Sequence, residues 1–297
     1  MGNIFLLEYT LKFLQNESVM KKSKQIIPVL TIAGSDSCGG AGIQADIKTF
    51  SALGLYACSA ITAVTAQNTL SVKDVFALSA SIVSSQIDTV LEDLPIKAIK
   101  IGMLFNEEII KAVADSIKRN NIQSNLVLDP VMISTSGSVL LQKQAQQVMI
   151  ETLFPLVDII TPNLIEAANL ANLKSITSIE QVKEVALYIQ KELSAKRVLI
   201  KGGHFNHNNS IDVFLDIDGR FYEYSSERIE SKNTHGTGCS LSSAIASYLA
   251  LGYDYKDSIK LAKDYIFSAI KESKDIFSGN GNGSLNHFFN PHKLILK

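Results

Sequence analysis

From Val29 onward the chain repeats one alternation, a short apolar run followed by a longer stretch of helical spacing. The strand candidates are Val29–Ala33, Ala57–Thr65, Ala98–Met103, Leu126–Leu128, Ile159–Thr161 and Val198–Lys201. Helical patterns lie between them, near residues 41–53, 81–92, 106–119, 139–152, 164–172 and 178–194. Strands that are apolar on both faces must be covered on both, and parallel neighbours need a crossover connection. The pattern therefore predicts an α/β fold, a mostly parallel central sheet with helices on both faces. Ile211–Leu215 and Phe221–Tyr224 flank Asp218-Gly219, a favoured two-residue turn, and predict an antiparallel edge hairpin. Helices near 237–250 and 256–274 close the domain, and Ser278–Ser284, with three glycines and two asparagines, reads as a surface loop. No linker or internal repeat divides residues 26–297, so they are read as one domain.

The composition supports a sizeable core: 46% of the 297 residues are hydrophobic and 19% charged, which argues against disorder. A net charge of −1 gives no field to gather nucleic acid, and Lys21-Lys22-Ser23-Lys24 is a short basic cluster in an otherwise scattered distribution. Cys38, Cys58 and Cys239 form no Cys-x-x-Cys pair and suit a reducing, cytoplasmic setting without a disulfide framework. No apolar run approaches the ~20 residues that span a bilayer. The first residues lack an early positive charge, and Glu8 breaks their apolar stretch, so they do not read as a secretory signal. Ile4, Leu7, Leu11 and Leu14 could share one helical face, but residues 1–25 are expected to be a dispensable extension. The sequence sets no oligomeric state and is compatible with a homodimer.

Asn233-Thr234-His235-Gly236-Thr237-Gly238-Cys239-Ser240 carries the chemistry most plainly. A helical run of Leu241, Ala244, Ile245, Tyr248 and Leu249 follows, so Gly236 to Cys239 should open a helix. Unpaired amides at a helix start, with glycines admitting close approach, bind anions. A cysteine in that first turn lies where the helix dipole favours a thiolate.

In sheets of this kind ligands gather at the carboxyl ends of the strands. The first candidate strand ends in Gly34-Ser35-Asp36-Ser37-Cys38-Gly39-Gly40-Ala41-Gly42, a tight loop that is neither a Walker A motif nor a dinucleotide fingerprint. The second ends in Ala66-Gln67-Asn68-Thr69, whose amides suit the edge of a heterocycle. The third ends in Asp129-Pro130-Val131-Met132, where a carboxylate could support a metal-bound phosphate. In the fourth, Thr161-Pro162-Asn163-Leu164-Ile165-Glu166, Pro162 suits a first helical turn, with Asn163 and Glu166 on one face as an oxygen pair for Mg²⁺. Lys201-Gly202-Gly203-His204 adds a cation. Singly, each has a plainer reading: an Asx turn for Asp129, a solvated helix charge for Glu166, a surface cation for Lys201. Their recurrence at strand ends beside an anion-binding turn points to Mg-nucleotide chemistry.

These segments, with Thr31-Ile-Ala-Gly-Ser-Asp, Gly39-Gly-Ala-Gly-Ile-Gln-Ala-Asp-Ile-Lys-Thr-Phe and Lys100-Ile-Gly-Met, resemble in order the hydroxymethylpyrimidine/phosphomethylpyrimidine kinase family of the ribokinase superfamily, from about Ile27 to about Phe288. The resemblance implies a ribokinase-like fold and ATP-dependent phosphorylation of 4-amino-5-hydroxymethyl-2-methylpyrimidine, then of its monophosphate, in thiamine synthesis. On matching positions it implies a pyrimidine pocket of Gly34, Asp46, Gln67, Met103 and Val131. Gly236, Thr237 and Gly238 would form the anion hole, with Cys239 at the position of the catalytic base. Asn163 and Glu166 would organise Mg²⁺, Asp129 would lie near metal and phosphates, and Lys201 would meet ATP phosphate. Many relatives have Lys-Ser-Gly-Asp where this chain has Thr135-Ser136-Gly137-Ser138, so one phosphate-facing cation is missing and Lys201 or a backbone contact gains weight.

Pyridoxal kinases share the first loop and the His-Gly-x-Gly-Cys turn and are the nearest alternative, against which Gln67-Asn68-Thr69 argues. A Cys239–His235 hydrolase would leave Asn163, Glu166 and Lys201 without a role. A non-catalytic pyrimidine-binding protein would need no Mg²⁺ site.

Overall fold

A computed structural model describes residues 24–122, 125–132, 141, 143–202 and 209–297. Among these residues nine strands form one sheet: β1 (Pro28–Asp36), β2 (Tyr56–Gln67), β3 (Val72–Ala77), β4 (Ala98–Ile101), β5 (Asn125–Leu128), β6 (Ile159–Ile160), β7 (Val198–Ile200), β8 (Asn209–Leu215) and β9 (Phe221–Glu227). Their order is β3-β2-β1-β4-β5-β6-β7-β8-β9. The strands from β2 through β7 pair in parallel, while β3 at one edge and β8–β9 at the other are antiparallel. The chain lays β2 to one side of β1 and β4 to the other, so a topological switch point falls at β1.

Among the described residues eight helices cover the sheet: α1 (Gly42–Ala52), α2 (Ala80–Asp93), α3 (Glu107–Arg119), α4 (Lys143–Thr152), α5 (Leu164–Leu170), α6 (Ile179–Glu192), α7 (Thr237–Leu251) and α8 (Tyr255–Lys271). Successive side chains of a strand point to opposite faces, and here both faces are buried. Leu30 and Ile32 of β1 join the core under α2 to α6, while Ile27 and Val29 join the core under α1, α7 and α8. Each fully buried Ile, Leu or Phe contributes roughly 1.5–3 kcal/mol. α3 shows how sequence sets an element: Asn106 caps it at Ile109, Glu107 and Glu108 open it, and Lys118 and Arg119 close it, each sign matching the helix dipole. No helix among the described residues is long and apolar enough to cross a membrane.

The α/β reading holds, with differences that have physical causes. β3 is absent from the sequence expectation because Val72-Lys-Asp-Val-Phe-Ala mixes charge with apolar residues, as an exposed edge strand does; Phe76 is 71% exposed. The β8–β9 turn is longer than a two-residue Asp-Gly turn. The Gly219 amide donates to Asp216, whose own amide donates to Arg220, and Gly219 takes the left-handed φ of +80°. Pro162 stands before α5 rather than in its first turn, because Asn163 is the cap. At the margin of the expected extension Gln25 pairs with Lys297, and Ile26 bridges Leu296. Residues 1–23, Thr135 to Ser138, Gly203 and His204 lie outside the described residues.

Candidate active site

A cavity of about 1530 Å³ opens at the carboxyl ends of the parallel strands and is bounded by the start of α7. Two glycine turns meet there. Gly42 has φ +56° and Gly236 φ +84°, and a Cβ would lie 2.2 Å from the Gly34 carbonyl oxygen in the first case and 1.8 Å from that of Gly40 in the second. Only glycine permits both the conformation and the contact.

Asp36 ties the two turns together. Its carboxylate accepts the amides of Cys38, Gly40 and Ala41, at 2.8, 3.0 and 2.9 Å, and lies 2.8 Å from His235 Nε2. Burial alone would raise this carboxyl, but the bonds from His235, Ala41 and Cys38 outweigh it and hold it below its ordinary value. Gln67 Nε2 stands 3.3 Å from the same imidazole nitrogen. His235 is thus spent on the loop, and no hydrogen bond joins it to Cys239 among the described residues. The Cys–His hydrolase arrangement is not formed.

α7 begins without a side-chain cap because Gly236 has none to offer. Thr237 is less free than expected: its amide and hydroxyl both donate to the Thr234 carbonyl, at 3.2 and 2.7 Å. That leaves the amides of Gly238 and Cys239 as the donors this turn could offer an anion. Against this start lies an ion pair, Lys201 Nζ to Asp129 Oδ1 at 2.7 Å. A Cβ on Gly238 would sit 3.2 Å from Lys201 Nζ and 3.4 Å from Asp129 Oδ2. Burial works against the Lys201 charge, but Asp129 and Glu166 outweigh it and hold its ammonium above the ordinary value.

Asn163 and Glu166 form a reciprocal capping box: Asn163 Oδ1 accepts the Glu166 amide at 2.9 Å, and Glu166 Oε2 accepts the Asn163 amide at 2.8 Å. The two do not share a helical face, as spacing suggested; Asn163 is the clamp that orients Glu166. Glu166 is 3% exposed. Burial, with Asp129 adding to it and Lys201 opposing, drives its carboxyl well above the ordinary range. This is buried negative charge that a divalent cation would relieve, so the corner fits Mg²⁺. Among the described residues no group of three or more His, Cys, Asp or Glu could cage a metal.

Four of the five residues expected at the pyrimidine face one cavity. Gly34, Gln67, Met103 and Val131 line the cavity. A Cβ on Gly34 would come within 2.4 Å of Met103 Cε, so the glycine makes room for the methionine. Asp46 is a correction. Fully buried, it lines no part of the cavity, and its carboxylate is occupied by Thr31, Ser243 and Lys100. Lys100 lines the floor in its place. The signal for this pair was present, as a lone lysine in the apolar strand Ala98-Ile-Lys-Ile and a lone aspartate in an otherwise uncharged first half of α1. Cys239 is a second correction. Despite its place in the first turn, burial pushes its thiol up to about 11, with Lys100 opposing and Asp46 and Asp129 adding. The resting group is the thiol rather than the thiolate.

At the far end of the cavity Lys263 and Asp212 pair at 2.7 Å, and Asp212 accepts the Gly202 amide. The nearby wall is held by Asn233, whose amide donates to the carbonyls of Ser273 and Ile276.

A family model described as phosphomethylpyrimidine kinase matches residues 36–286. A hydroxymethylpyrimidine/phosphomethylpyrimidine kinase of Rhizobium meliloti is 46% identical over 259 residues, covering 87% of this chain and 96% of its own length. The crystal structure of phosphomethylpyrimidine kinase from Clostridium difficile 630 is 46% identical, with TM-score 0.72, over 82% of this chain and 99% of that one. The pyridoxal kinase from Staphylococcus aureus in complex with AMP-PCP is 36% identical, with TM-score 0.80, over 90% and 95% of the two chains.

Proposed function

The chain belongs to the phosphomethylpyrimidine kinase family, and from that premise we propose that it transfers the γ-phosphoryl group of Mg-ATP to hydroxymethylpyrimidine and then to the resulting monophosphate. It is a phosphotransferase of thiamine biosynthesis. The observation that carries the assignment of the reaction centre is the Lys201–Asp129 pair lying against Gly238 at the uncapped start of α7. A cation and unpaired amides converge there on the space where a transferring phosphoryl group would carry its charge.

Gln67 and Met103 fix the ring, Gln67 by its amide and Met103 by its apolar end against Gly34. Lys201 and the amides of Gly238 and Cys239 stabilise the charge on the phosphoryl oxygens. Glu166, oriented by Asn163, would hold Mg²⁺, which when bound neutralises phosphate charge. Cys239 faces the nucleophile. Because its thiol rests protonated, the small thiolate fraction is the form that accepts the alcohol's proton, late in a loose transition state. The free cysteines Cys38, Cys58 and Cys239 suit a cytoplasmic setting.

ADP release measured side by side with hydroxymethylpyrimidine, its monophosphate and pyridoxal tests the assignment. Turnover on both pyrimidines is expected; turnover on pyridoxal alone would transfer the chain to the other activity.

A further inference from the structure

Lys100 is a buried cation at the floor of the site to which the roles above give no work. It lies at the end of β4, wholly inaccessible in itself yet part of the cavity wall. Its Nζ is 2.9 Å from each oxygen of Asp46. The same carboxylate accepts the Thr31 hydroxyl at 2.6 Å and the Ser243 hydroxyl at 2.7 Å. Four bonds fill the acceptor capacity of a carboxylate, whereas an ammonium held by two bonds keeps a third N–H. A Cβ on Gly102 would lie 2.7 Å from Nζ, so glycine there leaves space above the charge.

The helices around this pair are locked in register. Gly42 and Asp46 are one turn apart on α1; Cys239 and Ser243 are one turn apart on α7. Asp46 bonds Ser243 in one layer, and the Gly42 amide lies beside the Cys239 thiol in the next. The Lys100–Asp46 pair therefore sits one turn beneath the thiol. The charged groups facing that thiol are Lys100 from β4, Asp46 from α1, Asp129 beyond β5 and Lys201 beyond β7.

We propose that Lys100, clamped by Asp46, is a positioning residue for phosphorylation of the alcohol, its ammonium being the charge against which Cys239 gives up and regains its proton. This deepens the kinase reading and rests on it for the proton step. Lys100 opposes the effect of burial on the thiol more strongly than Asp46 adds to it. The monophosphate has no such proton to lose, so its phosphorylation does not draw on Lys100 in this way.

The test uses the full chain and two readouts. Iodoacetamide labelling of Cys239 is followed by peptide mass spectrometry between pH 7.5 and 9, with exposed Cys38 as the internal reference. Single-turnover rates are then taken on each pyrimidine with saturating Mg-ATP. Lys100→Met is expected to slow Cys239 labelling relative to Cys38 by roughly threefold or more, because reactivity follows the thiolate fraction. It should also depress alcohol phosphorylation roughly tenfold more than monophosphate phosphorylation. Lys100→Arg, which keeps the charge, should restore labelling. Since Lys100→Met strands a buried carboxylate, the pair Asp46→Asn with Lys100→Met supplies a variant without an unpaired charge, and it should still label more slowly than wild type. Wild-type labelling in that folded double variant, or equal rate losses on both substrates, would overturn the proposal. Wild-type protein that phosphorylates neither pyrimidine would overturn the kinase reading instead, and labelling does not depend on that outcome.

Discussion

Gln67 and Cys239 show how far one side chain can decide the chemistry. Among the described residues the Gln67 side-chain amide is held by long contacts of 3.3 Å, to His235 and to the Thr65 hydroxyl, so it can exchange them for a heterocycle's edge. Gln67→Leu should weaken pyrimidine binding about tenfold or more, the ~1–3 kcal/mol cost of leaving buried polar groups unpaired, with ATP affinity nearly unchanged. Titration calorimetry with each ligand checks this, and unchanged pyrimidine affinity would remove Gln67 from the pocket's recognition edge. For Cys239 the prediction concerns pH. With the thiol pushed up to about 11, the thiolate fraction rises about tenfold per pH unit across the neutral and mildly alkaline range. Alcohol phosphorylation in single turnover should climb with it. Phosphorylation of the monophosphate, whose second pKa is near ~6 by analogy with phosphorylated side chains, should stay flat. Cys239→Ala should flatten the first profile and spare the second; parallel profiles for the two substrates would mean that Cys239 only shapes the pocket.

At the scale of elements, the start of α7 and the start of α5 do different work. Gly236 cannot gain a side chain without striking the Gly40 carbonyl, so Gly236→Ala should fold poorly. Gly238→Ala has ordinary φ, and its methyl would press on Lys201 and Asp129. We expect that variant to fold, with thermal unfolding near wild type, and to lose rate on both substrates, since both need the charge-stabilising turn; a loss confined to one substrate would contradict this. At α5, Glu166→Gln keeps the shape and removes the charge, so the Mg²⁺ concentration for half-maximal rate should rise, and a superimposable Mg²⁺ curve would leave Glu166 a cap alone. Much of this was legible in sequence. Buried parallel strands are near-continuous apolar runs, and the glycines at 34, 42, 236 and 238 mark close approach. The exposed edge strand Val72–Ala77 was not legible, because alternation with charge gives no buried run. Nor was the capping role of Asn163, and of the Asp46–Lys100 pair only the two isolated charges were visible, not their partnership: spacing reports which residues share an element, while partners come from elements far apart in the chain.

Across the whole molecule, two buried groups far apart in the chain give the stability a pH dependence of mixed sign. His287 is 1% exposed, pinned against Ser240 with 2.8 Å between Nε2 and Oγ, and burial first, then Lys48, lowers its pKa to about 4 from an ordinary 6.5. A histidine lowered on folding is neutral when native, so the unfolded chain binds more protons between those values and stability falls as pH drops through the window. Its full contribution is ~3 kcal/mol by linkage. Glu166 runs the other way. Its raised carboxyl is protonated in the fold at pH values where the unfolded chain, with an ordinary value of 4.5, has already ionised. That stabilisation is complete below the unfolded value and is lost as pH rises through the folded one. In the mildly acidic range the two slopes oppose, so wild type without Mg²⁺ should show a nearly level stability there. Glu166→Gln leaves the histidine slope alone, and its stability should climb with pH from 4.5 to 6.5. His287→Gln leaves the glutamate slope, and its stability should fall over the same interval. Urea unfolding at closely spaced pH values measures each slope, and Mg-nucleotide should abolish the falling one, because a bound cation offsets the charge of ionised Glu166. Identical slopes in the two variants would show that neither group sets the acid behaviour of the fold.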